Sequence, residues 1–229
     1  MREKLLYGLG LAAILYLVRN LYVIFLVLPD EMAQGAIYRV FYFHLPGYFT
    51  AALCYLLAGI FSAMYLITRK WKWDSLAAAI TEVGLPFAAM NLITGMIWGR
   101  IIWGIWWTWD PRLTSALISA LIYAGYLMLR QAIPDPTERA KNSAVMAIFA
   151  FASVIFTYKS NEWFRTQHPG PVLSIRTGGG TIDPQMEWML AHNLLALLLL
   201  AGLLLAIRWR QEERQREIES LRREALSFS

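Results

Sequence analysis

The apolar positions of this chain fall into six long runs separated by short polar stretches. The runs cover residues 5–28, 41–68, 75–98, 113–129, 143–158 and 186–207. About 20 apolar residues at about 1.5 Å rise each cross a hydrocarbon core of about 30 Å, so the runs predict transmembrane helices. Pro29 and Asp30 stop the first run, and the basic cluster Arg69, Lys70 and Lys72 stops the second. Arg130 ends the fourth. The connector 131–141, with Pro134 and Pro136, reads as a turn-rich polar link. A long polar loop, 159–185, contains the run Gly178, Gly179 and Gly180. Charges in the tail 208–229 alternate in sign at helical spacing, which predicts a helical extension into water. There is no internal repeat.

The first run follows Arg2 and Lys4, as the core of a signal peptide would. It is too long for one and no small-residue cleavage pattern follows, so a retained first helix is expected. With 58% hydrophobic residues, 16% charged residues and a mean hydropathy of +0.44, six spans use most of the 229 residues. The expectation is an all-α integral membrane protein with six transmembrane helices in one domain, 1–229. The net charge of +5 reads as a topology signal, not as affinity for nucleic acid. With the N-terminus inside, fourteen Lys and Arg fall in inside segments and six in outside segments. Both termini are therefore expected in the cytoplasm, with the loops 29–40, 99–112 and 159–185 facing outward. Cys54 is the only cysteine, which excludes an internal disulfide, a thiolate metal cluster and a CxxCH haem attachment.

Three histidines are available. His44 begins the second run, His168 lies in the third outer loop, and His192 lies about two turns into the sixth run. Two imidazoles from different elements at one membrane face are able to clamp one haem iron. Position alone leaves open that both are ordinary interfacial residues. The second outer loop is more distinctive. Trp98, Trp103, Trp106, Trp107 and Trp109 fall within twelve residues, interleaved with glycine and followed by Asp110, Pro111 and Arg112. An aromatic belt needs one or two Trp per helix end. Flat rings on a glycine-shaped backbone also make a platform for a planar ligand such as porphyrin. Its propionates would want Arg partners. Arg100, Arg112, Arg165 and Arg176 lie on the expected side. Asp110 ahead of Pro111 also reads as a helix cap. Arg19 and Glu82 lie deep in apolar runs, as does Asn91. Such residues rarely face lipid, and an Arg19–Glu82 clasp is the expected arrangement. A transport path lined by all three is the other reading.

The segment from Trp103 to Ser115, WGIWWTWDPRLTS, resembles the WWD signature of haem-handling proteins of cytochrome c maturation. Chain length, six runs and one outer histidine on each side of the loop are similar to the CcmC family, its small member. The resemblance extends from YRVFYFHLP to NEWFRTQHPG. It implies that haem b is held noncovalently and transiently at the periplasmic surface of the bacterial inner membrane. It implies His44 and His168 as axial ligands and the tryptophans of the loop 98–115 as the shelf for the ring. It implies delivery to the haem chaperone CcmE, with the ABC transporter subunits CcmA and CcmB and the small membrane protein CcmD as partners. No Walker motif is present, so ATP hydrolysis is expected on another chain, and this one is expected not to be an enzyme. Pro111 stands where that family commonly has a small residue. His192 matches none of its ligands and is expected to be a core residue. Two other readings of the same residues are a b-type electron-transfer cytochrome and a transmembrane haem transporter. No histidine falls in the half of the spans expected toward the cytoplasm, which weighs against both.

Overall fold

A computed structural model describes residues 2–170, 173–174, 179–180 and 183–227. Arg176 and Gly178 lie outside the described residues. The helices are α1 (Arg2–Tyr22), α2 (Phe41–Thr68), α3 (Trp71–Ile102), α4 (Pro111–Ala132), α5 (Pro136–Trp163) and α6 (Pro184–Ser227). A two-residue ladder joins β1 (Leu173–Ser174) to β2 (Gly179–Gly180). Six helices are long and apolar enough to cross a membrane.

Helices α3 to α6 are longer than their apolar runs, for local reasons. α5 starts at Pro136, inside the connector expected to be a turn. Asp135 caps it by accepting the Glu138 N–H at 2.8 Å. Pro136 occupies the first helical position, where its missing N–H costs nothing. α3 runs from Trp71 to Ile102, so the Trp loop shrinks to 103–110. Only Arg69 and Lys70 separate α2 from α3, and Arg69 closes α2 in the left-handed conformation at φ 56°. α6 is one helix of 44 residues that takes in the whole charged tail as far as Ser227.

Inside a bilayer, helix association gains little from apolar burial, so small side chains and interhelical hydrogen bonds carry it. The bundle follows that rule. Ala58, Ala79, Ala147 and Ala196 are fully buried, whereas Leu121, Phe149 and Ile155 face outward. Tyr55 and Tyr123 stack at 3.5 Å between α2 and α4. Pro46 in α2 has no N–H, which leaves the Tyr42 carbonyl without its helical donor. Asn193 of α6 supplies one, donating from Nδ2 at 2.5 Å. Asn20 of α1 donates to the His192 carbonyl at 3.1 Å. The last turn of α1 widens, and Arg39 donates to the Ile24 and Leu28 carbonyls while pairing with Asp30.

Asp74, the fourth residue of α3, anchors the opposite end. Arg130 of α4 donates to it twice, at 2.6 and 3.1 Å, and Arg216 of α6 at 2.5 Å. Glu219 meets Arg139 at 2.8 Å. The tail therefore lies against the ends of α3, α4 and α5 instead of standing free in water. The expected Arg19–Glu82 clasp does not form. Glu82 bonds Arg208 of α6, because Arg19 lies toward the far end of α1 and Glu82 toward the near end of α3.

Removing the Asp74 carboxylate strands two part-buried guanidinium groups. Breaking such a network costs about 3–5 kcal/mol. Asp74→Ala is expected to lower the unfolding temperature in detergent. It should also open the tail beyond residue 208 to trypsin, while Asp30→Ala leaves both unchanged.

Candidate functional site

The end of the bundle opposite Asp74 holds a cavity of about 260 Å³ between α2, α3, α4 and the loop after α5. His44 from α2 and His168 from the loop both line it. Their ring centroids stand 6.3 Å apart with planes tilted by 31°. A bond from metal to imidazole nitrogen is about 2 Å, so two imidazoles trans on one ion place their ring centroids roughly 6 Å apart. Among the described residues, no three His, Cys, Asp or Glu side chains gather to hold a bare ion.

Each imidazole has one nitrogen committed. His44 Nδ1–H donates to the Asn91 carbonyl at 3.0 Å, with Thr94 Oγ1 at 3.2 Å as a second acceptor. The Thr94 hydroxyl proton is used on the Met90 carbonyl at 2.6 Å. His168 Nδ1–H donates to the Pro169 carbonyl at 2.9 Å. Carbonyl oxygens only accept, so Nε2 is the bare nitrogen of both rings. Asn91 Nδ2 is 3.4 Å from His44 Nε2 and donates to the His44 carbonyl at 2.9 Å. Gly95 is required for this packing, since a Cβ there would stand 2.9 Å from His44 Cε1.

His168 has no helix to hold it, and Asp110 does the work. The carboxylate accepts the Arg112 N–H at 2.8 Å, which caps α4 as expected. It also accepts the Thr166 hydroxyl at 2.6 Å and the Gln167 N–H at 2.8 Å. The Thr166 oxygen in turn accepts the His168 N–H at 3.0 Å. Burial raises the Asp110 pKa, but these bonds outweigh it and hold the carboxyl below its usual range. For His168, burial is the largest effect and lowers its pKa. The Arg112 charge adds to that, against the Pro169 bond and Asp110.

The tryptophans divide. Trp98, Trp103 and Trp107 line the cavity. Trp98 donates to Gln34 at 2.7 Å and meets His44 edge-on at 5.9 Å. Trp107 Nε1 is buried and has no hydrogen-bond partner among the described residues. Trp106 and Trp109 are 56% and 77% exposed and do not line the cavity. Trp109 packs edge-on against Trp107 at 5.9 Å. Gly104, between Trp103 and Trp106, makes the turn in the loop at φ 77°. Of the arginines, Arg112 lines the cavity, lies 5.0 Å above the Tyr48 ring and donates to the Thr157 carbonyl at 2.5 Å. Arg100 is exposed and donates to the Gly104 carbonyl, and Arg165 is exposed. His192 is not a core residue. It is half-buried on the side of the bundle, stacked on Trp188 at 3.7 Å. Arg19, Glu82 and Asn91 do not share a path, since only Asn91 reaches the cavity. Sequence reasoning did not single out Thr94 and Gly95. Their spacing of one helical turn after Asn91 was the available signal.

Asp110→Ala removes the acceptor for all three donors. Amide exchange at Gln167 and Arg112 is expected to accelerate by about tenfold or more. Amides around Asn91 should keep their protection.

Comparison with known proteins follows the same outline. The family model for CcmC, heme exporter protein C, matches residues 1–224. The chain is 34% identical over 194 residues to heme exporter protein C of Paracoccus denitrificans, covering 84% of this chain and 80% of that one. It is 33% identical over 196 residues to that of Bradyrhizobium diazoefficiens, covering 84% and 73%. It is 32% identical over 212 residues to that of Rhodobacter capsulatus, covering 92% and 87%. With its whole apolar framework, Trp loop and both outer histidines inside the matched region, the chain belongs to the CcmC family.

Proposed function

We propose that this protein holds haem b noncovalently at the periplasmic surface of the bacterial inner membrane and passes it to the chaperone CcmE. The observation that supports the reading is the pair of imidazoles whose ring centroids stand 6.3 Å apart in one cavity, each with Nδ1 within hydrogen-bond reach of a backbone carbonyl. Haem supplies an iron with two open axial positions and an apolar ring with two carboxylates. His44 and His168 offer the axial nitrogens. Trp98, Trp103 and Trp107 supply apolar walls that exclude water. Arg112 and the unpartnered Trp107 indole N–H are the cavity's donors for a propionate. Trp106 and Trp109 stand exposed outside the cavity lining, where an incoming chaperone would find them. Holding without a covalent link suits a cargo that must leave again. The chain is read as a binding and transfer subunit without catalytic chemistry of its own. CcmA, CcmB and CcmD are its proposed partners.

His44→Ala and His168→Ala are each expected to abolish the low-spin bis-imidazole spectrum and to reduce copurified haem by about tenfold. Unchanged spectra in both variants would overturn the ligand assignment. Arg112→Leu should weaken retention and leave the spectrum low-spin.

The pH dependence follows from His168. Its pKa lies below 6.5 in the folded protein, so protonation competes with iron only at lower pH. Haem retention should stay flat down to pH 6.5 and fall below it. A midpoint above 6.5, measured by spectral titration, would contradict this.

A further inference from the structure

α1 stands at the edge of the bundle, and α6 is the long helix it packs against. Leu11, Leu15, Val18 and Tyr22 of α1 are each more than half exposed. They recur at steps of four, three and four residues, the spacing of a seam between two membrane helices. Arg19 directly follows Val18 and flanks that seam. It is exposed within a stretch, Leu6–Val27, of mean hydropathy 2.0.

A guanidinium has five N–H donors, and the described residues occupy few of those on Arg19. Nη1 donates to Asn20 Oδ1 at 3.1 Å, and the Cζ atom lies 5.2 Å from the Trp188 ring of α6. Trp188 is itself half exposed and carries the stacked His192 ring. None of the ion pairs among the described residues involves Arg19. A charge at this depth rarely faces lipid and marks a contact.

We infer that the Leu11–Leu15–Val18–Tyr22 strip, with Arg19 and Trp188 beside it, seats a transmembrane helix of a different subunit that presents an Asp or Glu to Arg19. Charge complementarity selects that occupant. Flanking charges are what choose partners at such seams. The only acid on α1 is Glu3, more than four turns away, so a symmetric α1 pair would set Arg19 against apolar side chains. A lipid phosphate sits at headgroup level. Arg19 lies eight residues, or about 12 Å, inside the end of the span at Val27. None of the seam residues lines the histidine cavity, so the proposal does not depend on what that cavity binds.

The test uses the full chain in its native membranes. Arg19→Lys keeps the charge and adds an amine that a membrane-permeant carbodiimide joins to a neighbouring carboxylate. Mass spectrometry is expected to find residue 19 linked to an acidic residue in a transmembrane segment of another subunit. That adduct should be absent from Arg19→Leu, whose copurification with the same subunit falls at least tenfold. Charge reversal at Arg19, Arg19→Glu, should be rescued by reversing the linked acid. A link to a second copy of this chain would overturn the proposal. So would no protein adduct together with an anionic phospholipid that native mass spectrometry finds on the wild type and not on Arg19→Leu.

Discussion

The Asp110 carboxylate is the interaction on which the candidate site depends. One side chain closes the Trp loop, starts α4 and fixes the segment that carries His168, across a sequence gap of more than fifty residues. Each of its bonds is charge-assisted, and a carboxylate accepting several donors is strongly held in its ionised form. Had Asp110 served only as a helix cap, the loop after α5 would keep only the bond from Asn161 to the Pro169 carbonyl at 2.9 Å to set its place. The cap and the site are the same group.

The two ends of the bundle solve one problem in two ways. Each must hold helices together where polar backbone and charge meet the membrane boundary. The Asp74 end uses ion pairs between side chains, binding α3, α4 and α6 through one buried carboxylate. The cavity end uses side chain to backbone bonds: Asn193 on Tyr42, Arg39 on the end of α1, and Asp110 on Gln167. Backbone partners leave the cavity wall free of compensating charges. Its histidines are then free to remain neutral, and Arg112 has no carboxylate partner there.

Much of this was legible in the sequence because it depends on local pattern. The six spans follow from apolar run length. The cap at Asp110 follows from Asp-Pro, and the two histidines fall at one end by counting spans. The helix ends were less legible, because a cap such as Asp135, which accepts the Glu138 N–H, extends a helix through polar residues. What escaped was set by helix rotation and loop path. No pattern says that Trp107 turns inward while Trp106, its neighbour, turns outward. Four arginines share one side by charge counting, yet only Arg112 begins a helix at the cavity wall. Arg19 and Glu82 looked like partners because both are charges in apolar runs. Their depths along α1 and α3 differ too much for them to meet.

The two histidines are held with unequal rigidity, and this bears on the transfer reading. His44 is gripped by a helix pair. Its ring packs on Gly95, its Nδ1 is bonded to α3, and any shift disturbs the α2–α3 interface. His168 hangs on a loop whose position rests on bonds to Thr166 and Gln167. Local opening free energies are lowest where few apolar contacts back the hydrogen bonds. The loop is therefore the side of the clamp that opens first. A site that must grip and then release a cargo needs one fixed ligand to keep its place and one that swings away. On the proposed reading His44 of α2 would be the fixed ligand and His168 on the Asp110-tethered loop the mobile one, and the carboxylate that positions the loop would also set how readily it opens.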